Sequence, residues 1–208
     1  MLAKTIMMKK NMLTIVSPSL PIGEALKVME TEGLLSIPVV DGKNFKGSIE
    51  INKIYEKFFT GDEDKDTFLT NNKVEDFLRT DMPTIGANEE IENAVALLEK
   101  MNVSFVAVVD KEIDKFLGIL THKAVFKQFT NIFGLNQGDR LSVIAYDVPG
   151  QISKLSKIVA ENHGDIISFV VINPNSVRDL KEIIIRVKSN NMREIKNKIS
   201  LAGFQVND

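Results

Sequence analysis

The stretch FVAVVDKEIDKFLGILT, Phe105 to Thr121, decides the fold, because a counterpart, SIPVVDGKNFKGSIE, runs from Ser36 to Glu50. In each, an apolar run ends in an aspartate, Asp110 or Asp41, a short polar turn follows, and a second run passes through a glycine, Gly118 or Gly47. Val108 and Val109, like Val39 and Val40, place apolar groups on both sides of the chain, the pattern of a buried strand. Two such runs joined by a tight turn predict a strand pair, Phe105–Asp110 with Phe116–Leu120 and Ile37–Asp41 with Phe45–Ile51. Working outward, Thr14 matches Thr84, Asp41 matches Asp110 and Gly47 matches Gly118, at offsets of 70, 69 and 71 residues. A nearly constant offset signals an internal duplication.

Each copy opens with a short predicted strand, Leu13–Val16 or Thr84–Gly86, and continues into a helix. Ile22, Ala25, Leu26 and Met29 form one apolar helical stripe, and Ile91, Ala94, Val95 and Leu98 form its counterpart. Asn88 is the expected N-cap of the second. A further helix closes each copy, so the order is βαββα, twice. Between the copies, GDEDKDTFLTNN (Gly61–Asn72) is polar and acidic and predicts a solvated surface connection. Its spacing does not match a calcium-binding EF-hand loop.

From about Asp139 the pattern changes. Leu141–Tyr146 reads as a strand, and Ile152, Leu155, Ile158 and Val159 as a helical stripe. Ile166–Ile172 is a strongly apolar strand, with Ile167, Phe169 and Val171 expected on one face and Ile166, Val170 and Ile172 on the other. A loop is expected over Asn173–Leu180, a strand over Glu182–Lys188, a helix through Met192, Ile195 and Ile199, and a last strand at Phe204–Val206. The order βαββαβ is that of a ferredoxin-like split βαβ sandwich.

The 208 residues carry a net charge of −2, which provides no overall attraction to nucleic acid or to an anionic membrane, so neither is expected as a partner. Cysteine is absent, which excludes disulfides and thiolate chemistry and suits a cytoplasmic setting. No apolar run reaches the length of a transmembrane helix, and the N-terminus is too short and lysine-interrupted for a signal-peptide core. No nucleophile–base pair, metal-ligand spacing or phosphate-cradling glycine loop occurs, so a small hydrolase is the weakest reading.

The two copies resemble a tandem pair of CBS domains. The carrying residues are Pro38-Val39-Val40-Asp41 with Gly47, and Val108-Val109-Asp110 with Gly118-Ile119-Leu120-Thr121. The last segment resembles an ACT domain through Asp147-Val148-Pro149-Gly150, the helix after it, and Gly164-Asp165-Ile166. This order of domains resembles the family of the acetoin-utilization accessory protein. The resemblance implies an α+β chain with CBS domains at 1–62 and 73–133 and a ferredoxin-like βαββαβ ACT domain at 138–208. It further implies a non-catalytic regulatory protein that acts through an unidentified regulated partner. AMP, ATP or S-adenosylmethionine would sit in the CBS cleft as regulatory ligand, with no cofactor required, and an amino acid at the ACT interface. Modules of both kinds self-associate, so a homodimer is expected. The alternative is a dimerisation scaffold with vestigial pockets.

The resemblance also supplies candidate site residues. In nucleotide-binding CBS motifs a hydroxyl side chain follows the glycine where this chain has Glu50 and Thr121. An aspartate that accepts both ribose hydroxyls stands where it has Lys53 and Ala124. Lysine only donates and alanine offers no polar atom. The lost charge-assisted bond costs about 1.5–3 kcal/mol. Weak or absent AMP binding is therefore expected, better placed at Gly118 and Thr121 than at Glu50 and Lys53. Asn52 is the nearest substitute for the ribose contact, and His122 either meets a phosphate or faces solvent. In the ACT segment, Pro149 is expected at the first helical position. The N–H groups of Gln151 and Ile152 after Gly150 would hold a carboxylate, and Asp147 an ammonium group. Equally, Asp147 would merely cap the helix. Asp165 stands where many amino-acid-binding ACT domains have Asn and would add a negative charge.

Overall fold

The computed structural model describes residues 1–173 and 179–207, and the chain divides into two compact units, Met1–Phe126 and Lys127–Asp208. The first unit contains β1 (Met8–Lys9), α1 (Ile22–Glu32), β2 (Ser36–Asp41), β3 (Asn44–Glu50), α2 (Ile51–Thr60) and α3 (Lys65–Asn71). It continues with β4 (Thr84–Gly86), α4 (Ile91–Met101), β5 (Phe105–Asp110), β6 (Lys115–Thr121) and the start of α5 (His122–Ile132).

The duplication is visible in the strand registers. In the second copy β1, β6, β5 and β4 lie side by side, with β4 parallel to β5 and the other pairs antiparallel. In the first, β2 and β3 are antiparallel, flanked by a parallel bridge Val16–Val39 and an antiparallel bridge Ser48–Arg79. The predicted strand Leu13–Val16 is thus reduced to one bridge. Both copies carry a register shift at the same place, between Val39 and Val40 and between Val108 and Val109.

The bridges also show an exchange between copies. The lead-in to the first copy, with β1, pairs along β6 of the second, and Arg79 in the lead-in to the second pairs with β3 of the first. Gly47 and Gly118 permit this. An added Cβ would fall on the carbonyl oxygen of Arg79 or of Met8 respectively, and would lie 3.0 Å from the Arg79 carbonyl carbon or 3.2 Å from Lys9 Cα. The exchange completes the helix starts as well: Ile22 N–H donates to Asn72 O at 2.9 Å and Ile91 N–H to Met1 O at 2.8 Å. A backbone carbonyl from the other copy's lead-in therefore satisfies an N–H that otherwise has no intrahelical partner. Asn88 is not the cap of α4; its side chain accepts from Lys4 Nζ at 2.8 Å.

The connection Gly61–Asn72 is not all solvated loop. Asp64 accepts from the N–H groups of Asp66 and Thr67, each at 3.1 Å, and caps α3. Phe68 turns inward to 4% exposure, its ring 5.1 Å from Phe58 and 5.7 Å from Phe77. Two turns are too short to display a helical period, and charged residues at the start conceal one buried aromatic.

The second unit holds β7 (Asp139–Tyr146), α6 (Gln151–Glu161), β8 (Asp165–Ile172), β9 (Leu180–Lys188), α7 (Met192–Leu201) and β10 (Gln205–Asn207). Its strands are all antiparallel in the order β10, β7, β9, β8, the ferredoxin-like arrangement. Leu155 and Val159 of α6 and Ile195 and Ile199 of α7 pack on Leu141 and Val143 of β7 and Ile183, Ile185 and Val187 of β9. Part of the loop expected over Asn173–Leu180, residues 174–178, lies outside the described residues; Leu180 already belongs to β9. One face assignment is corrected. A bulge between Ile166 and Ser168 puts Ile166 opposite Val187 and Phe169 opposite Ile185, so Ile166 and Phe169 share the helix-covered face. The opposite face presents Ile144, Val170 and Ile184, half-buried, and Ile172, exposed.

Candidate functional site

In the first unit the candidate residues gather where β3 ends and α2 begins. Glu50 is the last residue of β3, and Asn52 and Lys53 lie in the first turn of α2. The exchanged lead-in brings Asp76, Phe77, Leu78 and Arg79 beside them. Together with Glu56, Lys57 and Thr60 they line a cleft of about 560 Å³, to which Asn52 does not contribute.

The cleft is charged with both signs. Arg79 Nη1 donates to Glu50 Oε1 at 3.0 Å and Arg79 Nε to Asp81 Oδ1 at 2.9 Å. Hydrogen bonds first to Asp81 and then to Glu50 raise the guanidinium pKa, and the bond from Arg79 lowers that of Asp81. Lys53 reaches Glu56 Oε2 at 2.6 Å, a contact that raises its pKa. Lys57 sits 4.5 Å from the centre of the Phe77 ring and donates to the Asp76 carbonyl at 3.5 Å. Lys53 therefore does not replace a ribose-binding carboxylate; it pairs with Glu56, and the carboxylate held by Arg79 across the cleft is Glu50.

The second copy uses its motif residues differently. Thr121 Oγ1 accepts from the Ala124 N–H at 3.2 Å, capping α5, and His122, the first residue of that helix, is exposed. Gly118 is the crossing point for β1. Arg79 and Phe77 were not legible as site residues because they join the cleft through the exchange, and Lys57, one turn beyond Lys53 on α2, is marked as a site residue only by their arrival. Extending the 71-residue offset upstream would have pointed there, since it pairs Phe77 and Leu78 with Ile6 and Met7, apolar in both copies.

In the second unit, Asp147, Gly150, Gln151 and Ile152 line a cleft of about 710 Å³ with Val171 and Lys181. Gly150, at φ 92°, occupies the N-cap position, where only glycine adopts the left-handed conformation readily. Pro149 therefore precedes the helix and is not its first residue. The helical ladder starts with Lys154 N–H on Gly150 O at 2.9 Å, which leaves the N–H groups of Gln151 and Ile152 directed out of the helix start. Asp147 does not cap α6; its carboxylate meets Lys181 Nζ at 2.7 Å. Asp165 lies at the far end of β8, opposite Lys188, while Val171 lines the cleft, so within one chain Asp165 is not part of this site.

Among the described residues no group of three or more His, Asp or Glu is placed to hold a metal ion, and no helix is long and apolar enough to cross a membrane. The family model for the CBS domain matches residues 3–58 and 74–131. An uncharacterized protein of Methanocaldococcus jannaschii is 27% identical over 121 residues, 58% of this chain and 38% of that protein. The chain spans 11–38% of the lengths of the curated relatives it matches. A hypothetical conserved protein of Geobacillus kaustophilus is 25% identical with a TM-score of 0.57, over 62% of this chain and 96% of that one. CBSX2, solved in complex with AMP, is 21% identical with a TM-score of 0.55, over 63% of this chain and 97% of that one.

Proposed function

The chain belongs to the CBS-domain family, and on that premise we propose that it is a non-catalytic regulatory protein whose first-copy cleft receives an adenosyl nucleotide such as AMP, ATP or S-adenosylmethionine. The observation that carries this reading is the position of Arg79, Lys53 and Lys57 around one cleft of nucleotide size at the end of β3. A phosphate would take Arg79 from Glu50. That pair is partly exposed, with side-chain exposures of 29% and 26%, and ion pairs in contact with solvent are worth roughly 1 kcal/mol or less. The released Glu50 would then accept from the ribose hydroxyls, the part an aspartate plays at the neighbouring position in motifs that bind adenosyl compounds. The AMP-bound relative supports the ligand class.

The βαββαβ unit after the CBS pair supports reading it as an ACT-type domain and the chain as a relative of the acetoin-utilization accessory proteins. In that reading an amino-acid carboxylate meets the open N–H groups after Gly150, and its ammonium group competes with Lys181 for Asp147. The half-buried residues Ile144, Val170 and Ile184 and the exposed Ile172 favour association into a homodimer, through which the effectors would act on a regulated partner. The scaffold reading has its own support: Thr121 is engaged as a helix cap and the cleft cations are already paired.

Calorimetric titration of AMP, ATP, S-adenosylmethionine and the amino acids into the full chain separates the readings. AMP binding that falls at least tenfold in Arg79→Ala supports the cleft. AMP binding unchanged in that variant places the nucleotide elsewhere, and no adenosyl binding at millimolar concentration leaves the scaffold. An amino acid that binds equally to wild type and Gly150→Ala excludes the helix-start site.

A further inference from the structure

A second cavity lies on the helical side of the first unit, where none of the CBS motif residues reaches. It measures about 450 Å³ and is enclosed by α1, α2 and the inserted α3. Its walls are Leu26, Ile54, Phe58, Phe68 and Leu69, of which Ile54 is fully buried. Gly23 closes it: a Cβ there would sit 3.0 Å from both Cβ and O of Leu69, so a side chain would push α3 a few tenths of an ångström away from α1. Phe59, 79% exposed, lines it as well.

Lys27 and Lys65 are exposed residues of the same lining. Among the described residues neither ammonium group has an ion-pair or hydrogen-bond partner. The one carboxylate in the lining, Glu30, accepts from Tyr55 Oη at 2.6 Å and is not paired with either lysine, so the lining carries one negative charge against two positive. The acidic run Asp62–Asp64 is not among the walls. The cavity thus pairs an apolar interior of the volume of a small-molecule site with two free cations at its opening.

We propose that this cavity is a second ligand site, independent of the nucleotide cleft, that takes an amphipathic organic anion: a medium-chain or aryl-alkyl carboxylate with its hydrocarbon against Leu26, Ile54, Phe58 and Phe68 and its charge at Lys27 and Lys65. A phosphate or a small dicarboxylate would leave the walls in contact with water, and an alcohol of the same length would leave both ammonium groups unanswered. Because α3 is the roof and also carries Phe77's neighbour Phe68, an occupant would brace the lead-in that supplies Arg79.

The test is calorimetric titration of hexanoate, octanoate, decanoate and 3-phenylpropionate into the full chain, with octan-1-ol as the uncharged control. One carboxylate is expected to bind per chain, and affinity should rise roughly three- to fourfold per added methylene until the cavity is full, the gain expected from burying a CH₂. The double variant Lys27→Glu, Lys65→Glu changes only exposed positions; it should fold as wild type by circular dichroism and weaken octanoate at least tenfold while leaving AMP titrations unchanged. Leu69→Trp, which fills the roof, should abolish octanoate binding. No carboxylate binding, equal affinity in the charge-reversed variant, or octan-1-ol binding as tightly as octanoate overturns the proposal. So does a dimer that Phe59→Asp converts to monomer in a chain that binds no carboxylate, which would assign the cavity to a second copy.

Discussion

Gly118→Ala isolates the strand exchange. The residue is not in the left-handed region, so alanine meets no torsional objection and the whole effect is steric. The added Cβ falls on the Met8 carbonyl oxygen and approaches Lys9 Cα to 3.2 Å. These are backbone atoms, which no rotamer change can move away. Either β6 distorts, at the roughly 1–3 kcal/mol typical of overpacking, or β1 detaches. Detachment loses the pairing of Met8 with Ile119 and Lys9 with Gly118, at about 0.5–1.5 kcal/mol per hydrogen bond. It also loosens the segment whose Met1 carbonyl satisfies Ile91 at the start of α4. The expected loss is about 2–4 kcal/mol. For a unit of this size that is a fall in melting temperature of roughly 8–15 °C. Differential scanning calorimetry measures it, and urea unfolding followed by circular dichroism gives the free energy independently. Gly42→Ala is the control: its φ is 59° but an added Cβ has no atom within 4 Å, so it should cost only about 1 kcal/mol. If Gly118→Ala melts within a degree of wild type, or no lower than Gly42→Ala, β1 does not pack against Gly118 and the exchange is wrong.

Two further perturbations test the insertion. Phe68→Ala should destabilise the first unit by about 3–5 kcal/mol, as for other buried aromatics, because it removes a ring packed between Phe58 and Phe77; a loss under 1 kcal/mol in urea unfolding would show that α3 is not part of the core. Asp64 is held below the usual aspartate range, chiefly by the Thr67 side chain and then by backbone N–H groups. A lowered folded-state pKa contributes stability that is present above the unfolded value, about 3.9, and disappears as pH falls through the lowered one. The amide resonances of Asp66 and Thr67 should therefore hold steady down to about pH 4 and move together below it; shifts that titrate at or above the unfolded value would refute the cap.

What the sequence made legible follows from where the periodic signal is strong. β2, β3, β5 and β6 are buried on both faces and carry the repeat, and Ile22, Ala25, Leu26 and Met29 face the core as their spacing requires. The βαββαβ order of the second unit was equally readable, because Leu141 and Val143 flank Ser142, and Ile183, Ile185 and Val187 keep a period of two bounded by Glu182, Arg186 and Lys188. Three features left no such trace. A bulge in β8 changes which residues share a face without changing composition, so strict alternation misplaced Phe169. α3 buries one aromatic within a run of charges, too little for a period to show. The lead-in exchange is a fact of topology, written mainly in Gly47 and Gly118, whose missing side chains say only that something comes close.

That last omission is the one that bears on function. Read copy by copy, Glu50 and Lys53 are a motif with its ribose-binding group lost. Read with the exchange, they share a cleft with Arg79 and Phe77, and the first copy's cleft is made partly by the segment that leads into the second. The same exchange makes each helix start depend on the other copy, Ile22 on Asn72 and Ile91 on Met1. Unfolding or shifting of either copy alone therefore removes the backbone acceptor of a helix-start N–H in the other. A ligand that takes Arg79 from Glu50 and then binds both would replace their direct contact with one through itself, linking a residue from each side of that dependence, and the two copies would respond to it as a single body.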